Sequence, residues 1–532
     1  MHADTGKADR AAAPPDTGPP VPGTIEYWAA HKPGGIAAIE DQRTLSWAAL
    51  DQAGNQLADA LAERGLAAGD IVVVRTQIRL EWLVIASALG KLGCSLLGMN
   101  WRLTPAEVRH VMNNSRANAI FCDDADPAAL LPAFDGQPLK AAVSLDARAP
   151  GFHNYAAMLD RPARTRRQSA GDPPLIIYTS GTTGLPKGVV LNRALAGTDA
   201  TVLAEYLADV RARRPAAPDE RFLLTMPLHH GSGPGQVWAA QKAGATVVLM
   251  RRFDPLRALA LIQQHRVAHW TGVPTMFKRM AALPPGTTRQ YDLSSLKALT
   301  VGAAPVSDQL KQWIIEHLGD CLHEGYGSTE TGMLTRMTPD AQRARPGSSG
   351  LPYRHVRLEI RAPDGTALPA GETGEIWAHT PVVIGNYLNA PPLGTDTRDE
   401  RGYFRTGDVG RLDADGYLYI SDRAKDMIIS GGVNIYPAEI EASLQRHPAV
   451  ADAAVIGIPD DDFGESVMAF CELKPDIVVD EAALLAHCEG ELASYKRPRT
   501  IRIVDELPRN TVGKLLKRDL RAPFWKDKEK NV

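Results

Sequence analysis

The chain has 532 residues, with 59 Lys and Arg against 62 Asp and Glu, a net charge of -3 and 44% hydrophobic residues. That length suits a globular enzyme of two or more domains, and the near balance of charge leaves no electrostatic footprint for a nucleic-acid partner. Five scattered cysteines, odd in number and without a CxxC pair, argue against a disulfide framework or a zinc site and fit a reducing cytoplasm.

Residues 1–24 are rich in Ala, Pro, Asp and Gly, lack an apolar h-region and read as a disordered tail rather than a secretory peptide. Leu50, Ala53, Leu57 and Leu61 recur at helical spacing, and Gly65 stops the helix they predict. Ile71-Val72-Val73-Val74 predicts a buried strand. The longest apolar stretch, Leu83 to Met99, is interrupted by Lys91 and is too short for a bilayer, so no transmembrane segment is expected. Thr104-Pro105-Ala106-Glu107 is a capping box with Pro at the first helical position, and Ala119-Ile120-Phe121-Cys122 predicts another strand. Such alternation argues for parallel sheets covered by helices. Residues 161–174, with Arg, Ser, Gly and Pro, read as a linker.

The next segment, Tyr178-Thr179-Ser180-Gly181-Thr182-Thr183-Gly184-Leu185-Pro186-Lys187-Gly188, lies between the apolar runs Leu175-Ile176-Ile177 and Val189-Val190. It predicts strand, polar loop, strand. Glycines let backbone N–H groups converge without Cβ clashes. Four Ser and Thr hydroxyls and the Lys187 charge make a concavity suited to a polyphosphate. The loop is not a Walker A sequence, because its lysine follows a proline and leads into β-branched residues.

Further polar segments follow in order: Met226-Pro227-Leu228-His229-His230, then Gly231-Ser232-Gly233-Pro234-Gly235; Gly302-Ala303-Ala304-Pro305; Glu324-Gly325-Tyr326-Gly327-Ser328-Thr329-Glu330; and Tyr403-Phe404-Arg405-Thr406-Gly407-Asp408. Asp415-Gly416 between Leu412 and Tyr417-Leu418-Tyr419-Ile420 is a hairpin signal. Asp422-Arg423-Ala424-Lys425-Asp426, Ser430-Gly431-Gly432, a helix near 480–492 and Pro508-Arg509-Asn510-Thr511-Val512-Gly513-Lys514 complete the chain. The change of texture places a domain boundary at Lys425: a tail over 1–24, a large domain over 25–424 and a small one over 425–532.

These segments, in this order over roughly residues 25–520, resemble the adenylate-forming superfamily of acyl-CoA synthetases, peptide-synthetase adenylation domains and luciferases. The resemblance implies an α/β fold. Its large N-terminal domain has layered α/β subdomains and a β-barrel-like part, and its small C-terminal α/β domain is mobile. It implies an AMP-forming acyl-CoA ligase that uses ATP, Mg²⁺ and coenzyme A. The carboxylate would attack ATP to give an acyl-adenylate, which a thiol then intercepts.

Site residues follow from the same resemblance. The nucleotide would be held by Thr179, Ser180, Gly181, Thr182, Thr183, Gly184 and Lys187, by Gly302, Ala303 and Ala304, and by Glu324, Gly325, Tyr326, Gly327 and Thr329. Tyr326 would stack on adenine, Asp408 would accept the ribose hydroxyls, and Arg423 would touch ribose or phosphate. Glu330, with Thr183, would bind Mg²⁺. Lys514 would meet the carboxylate and the α-phosphate; with His230, Thr183 and Lys187 it forms the catalytic set. Lys425 would be the hinge. Gly431, Gly432, Phe463, Tyr495, Arg497 and Arg102 would serve CoA.

His230 would stand at the entrance to the acyl pocket, with Gly231, Gly302, Gly325 and Gly332 lining it. Two histidines where amino-acid-activating members carry an acid disfavour a free α-amino acid. The glycine run after His230 leaves room for fatty, aryl or polycyclic carboxylates, or else starts a helix. A ligase that loads a carrier protein and a non-catalytic nucleotide-binding homologue are the alternatives.

Overall fold

A computed structural model describes residues 19–169, 171–179, 186–191, 197–212, 215–302, 304, 306–431, 433–475, 477–510 and 513–526. Two mostly parallel sheets form the bulk of the chain before residue 350. The seven-stranded one runs His153–Asn154, Ala141–Ser144, Ala119–Cys122, Ile71–Arg75, Ser95–Gly98, Leu175–Thr179, Lys187–Val190. The nine-stranded one runs Leu351–Pro352, Gly332–Met337, Leu322–Ser328, Ala298–Val301, His269–Gly272, Arg221–Leu224, Thr246–Leu249, Ile36–Glu40, Arg43–Ser46. The predicted strands at 71–74 and 119–122 pair in parallel, Val72 against Ala119.

Helices between the sheets bury their apolar stripes on both. Leu50, Leu57 and Leu61 of Trp47–Ala62 are fully buried, in one cluster with Val72 and Leu96 of one sheet and Phe222 and Val247 of the other. Each such leucine contributes about 1.5–3 kcal/mol, so packing rather than intrinsic propensity fixes the helix. Gly65 follows in the left-handed region, φ 85°. The capping box is formed: Glu107 N donates to Thr104 Oγ1, and Thr104 N donates to Glu107 at 2.8 Å.

The apolar stretch at 83–99 divides into the buried helix Leu80–Leu92 and the strand Ser95–Gly98. Lys91 on that helix is fully buried, bonded to Glu26, to Asp51 at 2.7 Å and to the Arg167 carbonyl at 2.9 Å. Among the described residues no helix is long and apolar enough to cross a membrane. All five cysteines are buried and free.

The barrel-like part corresponds to a four-stranded antiparallel sheet: Arg357–Arg361, Gly374–His379, Phe404–Leu412, Leu418–Arg423. The Asp415-Gly416 turn joins its last two strands, with Gly416 at φ 83°. The chain then makes a 3₁₀ turn over Ala424–Asp426 and enters a separate sheet, Val433–Ile435, Ile428–Ser430, Gly464–Leu473, Val450–Asp460, with Thr500–Val504 on Gly464–Leu473. This last sheet carries its own core, including Ile428, Ile440, Val455 and Leu484, and the predicted helix is Glu481–Glu491.

Candidate active site

A cleft of about 3430 Å³ opens between the carboxyl ends of the strands and the last domain. It is several times a single-ligand pocket of about 300–1,000 Å³, so it can hold more than one substrate.

The polar loop stands where Leu175–Thr179 pairs antiparallel with Lys187–Val190, Thr179 opposite Lys187. Ser180, Gly181, Thr182, Thr183 and Gly184 lie outside the described residues, as do Ala303 and Gly432. Thr179 Oγ1 donates to Glu330 Oε1 at 3.5 Å, the outer limit of a hydrogen bond. Glu330 sits in the turn between Leu322–Ser328 and Gly332–Met337, fixed by Ile384 N donating to the Glu330 carbonyl at 3.0 Å. The Tyr387 hydroxyl lies 3.4 Å from the same carboxylate, and Lys187 stands 5.0 Å from the centre of the Tyr387 ring. Tyr387 is 57 positions from Glu330 in sequence and carries no local motif, so it could not be read in advance.

Asp408 is held by its strand. Its N–H donates to Thr406 Oγ1 at 3.1 Å, and Thr406 Oγ1 donates to the Ile376 carbonyl at 2.8 Å. The Tyr326 hydroxyl donates to Asp408 Oδ2 at 2.6 Å, and Arg423, opposite Asp408 in register, places Nε 3.5 Å from Oδ1. Burial and then the Asp408 charge push the Tyr326 phenol well above its ordinary range. Glu324 is ion-paired to Lys311 at 2.7 Å and accepts from Gln342 at 3.2 Å, so its carboxylate is already partnered at the cleft wall. Gly325, Gly327, Thr329, Gly302 and Ala304 line the cleft. Gly327 is required because a Cβ there would overlap the Gly332 carbonyl across the turn.

Lys514 enters from the last domain on a tight hairpin. Asn510 N donates to the Lys514 carbonyl and Lys514 N to Asn510 Oδ1, both at 2.9 Å, with Gly513 at φ 73°. Burial, then the charges of Arg423 and Lys425, lower the Lys514 ammonium to about 8, against the pull of Asp408 and Asp426. Burial and Arg423 lower Lys425 as well. Three cations thus share one end of the cleft, an arrangement that favours an anion between them.

His230 Nδ1 lies 2.9 Å from Ser232 Oγ, and burial holds its ring neutral by lowering its pKa. His229 is pushed down to about 3, by burial and then by His230, and among the described residues neither of its ring nitrogens has a partner. The run after His230 does start a helix, Ser232–Ala243. Its three glycines have different reasons. A Cβ at Gly231 would press on Leu191 at 2.9 Å, and one at Gly233 would overlap the Pro227 carbonyl, whereas one at Gly235 would meet nothing within 4 Å among the described residues. The room read from this run is therefore at Gly235, with Ala239 one turn on, both exposed on the cleft side. Gly302 is open too: among the described residues the nearest atom to a Cβ there is the Gly325 carbonyl oxygen at 3.6 Å. Gly332 lines the cleft, but its missing side chain makes way for Val382 and the Tyr206 hydroxyl, at φ 70°.

The residues expected to serve CoA divide. Gly431 N donates to the Phe463 carbonyl at 2.9 Å, so these two are adjacent, and exposed Phe463 carries Arg499 4.4 Å from its ring centre. Arg497 instead donates to the carbonyls of Leu492 at 2.9 Å and Glu489 at 3.0 Å, closing the end of the helix Glu481–Glu491. Arg499, two positions on, is the guanidinium that lies over the Phe463 ring. Tyr495 is exposed, with the Lys496 ammonium 5.6 Å from its ring centre. Arg102 lies over Trp101 and lines the cleft; Gly431, Phe463, Tyr495 and Arg497 do not.

Residues 25–388 match the family model of AMP-binding enzymes, and residues 439–514 match the AMP-binding enzyme C-terminal domain. The chain belongs to the AMP-binding enzyme family. It is 36% identical to the indoleacetate–CoA ligase of Aromatoleum aromaticum, over 93% of this chain and 96% of that one. To the fatty acid–acyl-carrier-protein ligase ScoC of Streptomyces coeruleorubidus it is 34% identical, over 96% and 97%. The ATP-bound structure of MatB from Rhodopseudomonas palustris superposes with a TM-score of 0.81 at 29% identity, covering 95% of this chain and 99% of that one. The large domain followed by a small one is the architecture these AMP-binding enzymes share.

Proposed function

We propose that the protein is an AMP-forming carboxylate–CoA ligase. The observation that carries this reading is the convergence, on one cleft, of Glu330, Asp408, Arg423 and Lys514 from two domains. A carboxylate oxygen attacks the α-phosphorus of ATP, the bond to the β-phosphate breaks, and pyrophosphate leaves. Asp408 accepts the ribose hydroxyls, Tyr326 offers its ring to adenine, and Lys187 faces the phosphates. Lys514 and Arg423 meet the charge that grows on the α-phosphoryl oxygens. A Mg²⁺ ion would neutralise phosphate charge so that two anions can meet. Among the described residues the Glu330 carboxylate meets the neutral hydroxyls of Thr179 and Tyr387, and no group of three or more His, Cys, Asp or Glu could hold a metal unaided. A carboxylate so placed fits a cation whose other ligands come from the nucleotide.

In the second step the thiol sulfur attacks the acyl carbon, its proton passes to solvent, and AMP leaves. The domain boundary at Lys425 would serve as the hinge that withdraws Lys514 and brings the Gly431-Gly432 face to the acyl carbon. Open space at Gly235, Ala239 and Gly302 supports a fatty, aryl or polycyclic acid. One relative is named for indoleacetate, and another for a dioxo-octahydroindenyl propanoate in Mycobacterium tuberculosis.

A carrier-protein acceptor is the second reading. It is favoured by the engagement of Arg497 at its own helix end and by the similarity to ScoC. The test is pyrophosphate release from ATP and Mg²⁺ with indoleacetate, ferulate, palmitate, a steroid-ring propanoate and phenylalanine, each with and without CoA. Acid-dependent release with a CoA thioester product supports the ligase. Release without thioester, restored by a phosphopantetheinylated carrier protein, supports the second reading. Release with none of these acids counts against both.

A further inference from the structure

The helix Pro274–Ala281 of the large domain touches the last domain at two points one turn apart. Lys278 Nζ is ion-paired to Asp452 Oδ1 at 2.6 Å. Thr275 lies against Gly513, where any Cβ would overlap its hydroxyl. Asp452 is nearly fully buried on the strand Val450–Asp460 and also accepts from Gln445 at 2.8 Å and from Arg509. Burial opposes its charge, yet Lys278 and then Arg509 hold the carboxyl below its ordinary value. Arg509 continues the chain of contacts, donating through Nη1 to the Gly513 carbonyl at 3.2 Å. Gly513 precedes Lys514, whose own N–H is bonded to Asn510.

We infer that Lys278 is a positioning residue for the adenylation step, acting through Asp452 and Arg509 to seat the Lys514 hairpin in the cleft. The Lys278 side chain comes from the large domain, and the other members of the chain from the small one. The contact therefore exists only in the domain arrangement that presents Lys514. Arg509 and Asp452 keep each other when the domains part, so the small domain does not carry an uncompensated buried carboxylate into the second step. Thr275 sets the approach distance of the hairpin, and Lys278 supplies the attraction. Loss of one partner of a buried charged contact across an interface is expected to weaken that arrangement by about tenfold or more.

The inference rests on the ligase reading, and the test separates the two. The acid with the highest pyrophosphate release in the panel above is used for two assays: acid-dependent ATP–pyrophosphate exchange, and transfer from the chemically prepared acyl-adenylate to CoA. Lys278→Met is expected to lower kcat of the exchange by about tenfold, with the KM for the acid nearly unchanged and the transfer step retained. Lys278→Arg, which keeps the charge, recovers most of the exchange. An equal loss in both assays, or none in either, overturns the inference.

A second measurement does not depend on turnover. Spin labels at Leu256→Cys and Val478→Cys, both exposed and on different domains, report the interdomain distance, while the five native cysteines are buried. The distance is measured with α,β-methylene-ATP and again without nucleotide. In both conditions its distribution is expected to be narrower when Lys278 is present than in the Lys278→Met protein. Identical distributions overturn the inference even where no acid is turned over.

Discussion

The hydroxyl of Tyr326 and the carboxylate of Asp408 are joined at 2.6 Å across the floor of the cleft, although 82 positions separate them in the chain. The bond orients the Tyr326 ring and the Asp408 carboxylate, the proposed ribose acceptor, as one unit. Tyr326→Phe keeps the ring and removes the donor, so it is expected to raise the KM for ATP only a few-fold. Asp408→Asn removes the charge itself and is expected to raise it by about 10- to 100-fold, the range for hydrogen bonds to a charged group. Steady-state kinetics of both variants measure the order of these effects.

Lys514 must be protonated to meet an anion, and its pKa is lowered to about 8. The charged form is present below that value and lost as pH rises through it. In the free enzyme kcat/KM for ATP is therefore expected to fall above about 8, while the limb in kcat lies higher, because bound phosphate favours the ammonium. A pH–rate profile of pyrophosphate release checks both limbs.

Lys514→Ala is expected to lower the adenylation rate by about 10²–10³, as for loss of one preorganised donor to a developing charge. Transfer from a supplied acyl-adenylate is expected to survive. Rapid-quench measurement of each step separates them, and equal loss in both would count against its role in the first.

Gly235→Leu fills open space without helix strain, because leucine is the better helix former. It is expected to abolish turnover of polycyclic and long acids while leaving short ones active. A Gly332→Leu variant differs: it collides with Val382 and Tyr206 at a positive φ, and is expected to lose stability with every acid. Comparing thermal midpoints with the acid panel distinguishes pocket narrowing from damage.

Lys91→Met leaves Glu26 and Asp51 without their shared buried cation. Breaking such a pair costs about 3–5 kcal/mol. The apparent melting temperature is expected to fall by roughly 5 °C or more, with KM values unchanged. Differential scanning fluorimetry at one scan rate measures it.

Much of the site was legible because its chemistry is local. The loop around Thr179 and Lys187, the turn ending in Glu330 and the hairpin carrying Lys514 each need glycines and polar groups at fixed offsets, and those offsets are visible in the string. The same holds for the helix at 47–62, the capping box at Thr104 and the hairpin at Asp415-Gly416, where periodicity or turn chemistry acts over a few residues.

Local pattern could not say which glycine opens space. Gly231, Gly233 and Gly235 look alike in sequence, and only their neighbours Leu191, Pro227 and empty cleft tell them apart. Nor could it show that Arg497 is drawn to the carbonyls of a helix end while Arg499 lies over the face of Phe463. Tyr387 beside Glu330 and Lys278 against Asp452 are pairings over long separations. The sequence determined the family, the order of the motifs and the groups offered to a nucleotide, because these rest on residue identity and short spacing. Only the tertiary structure decided where the room lies and how Lys514 is held, because both depend on which surfaces meet when two domains close on one cleft.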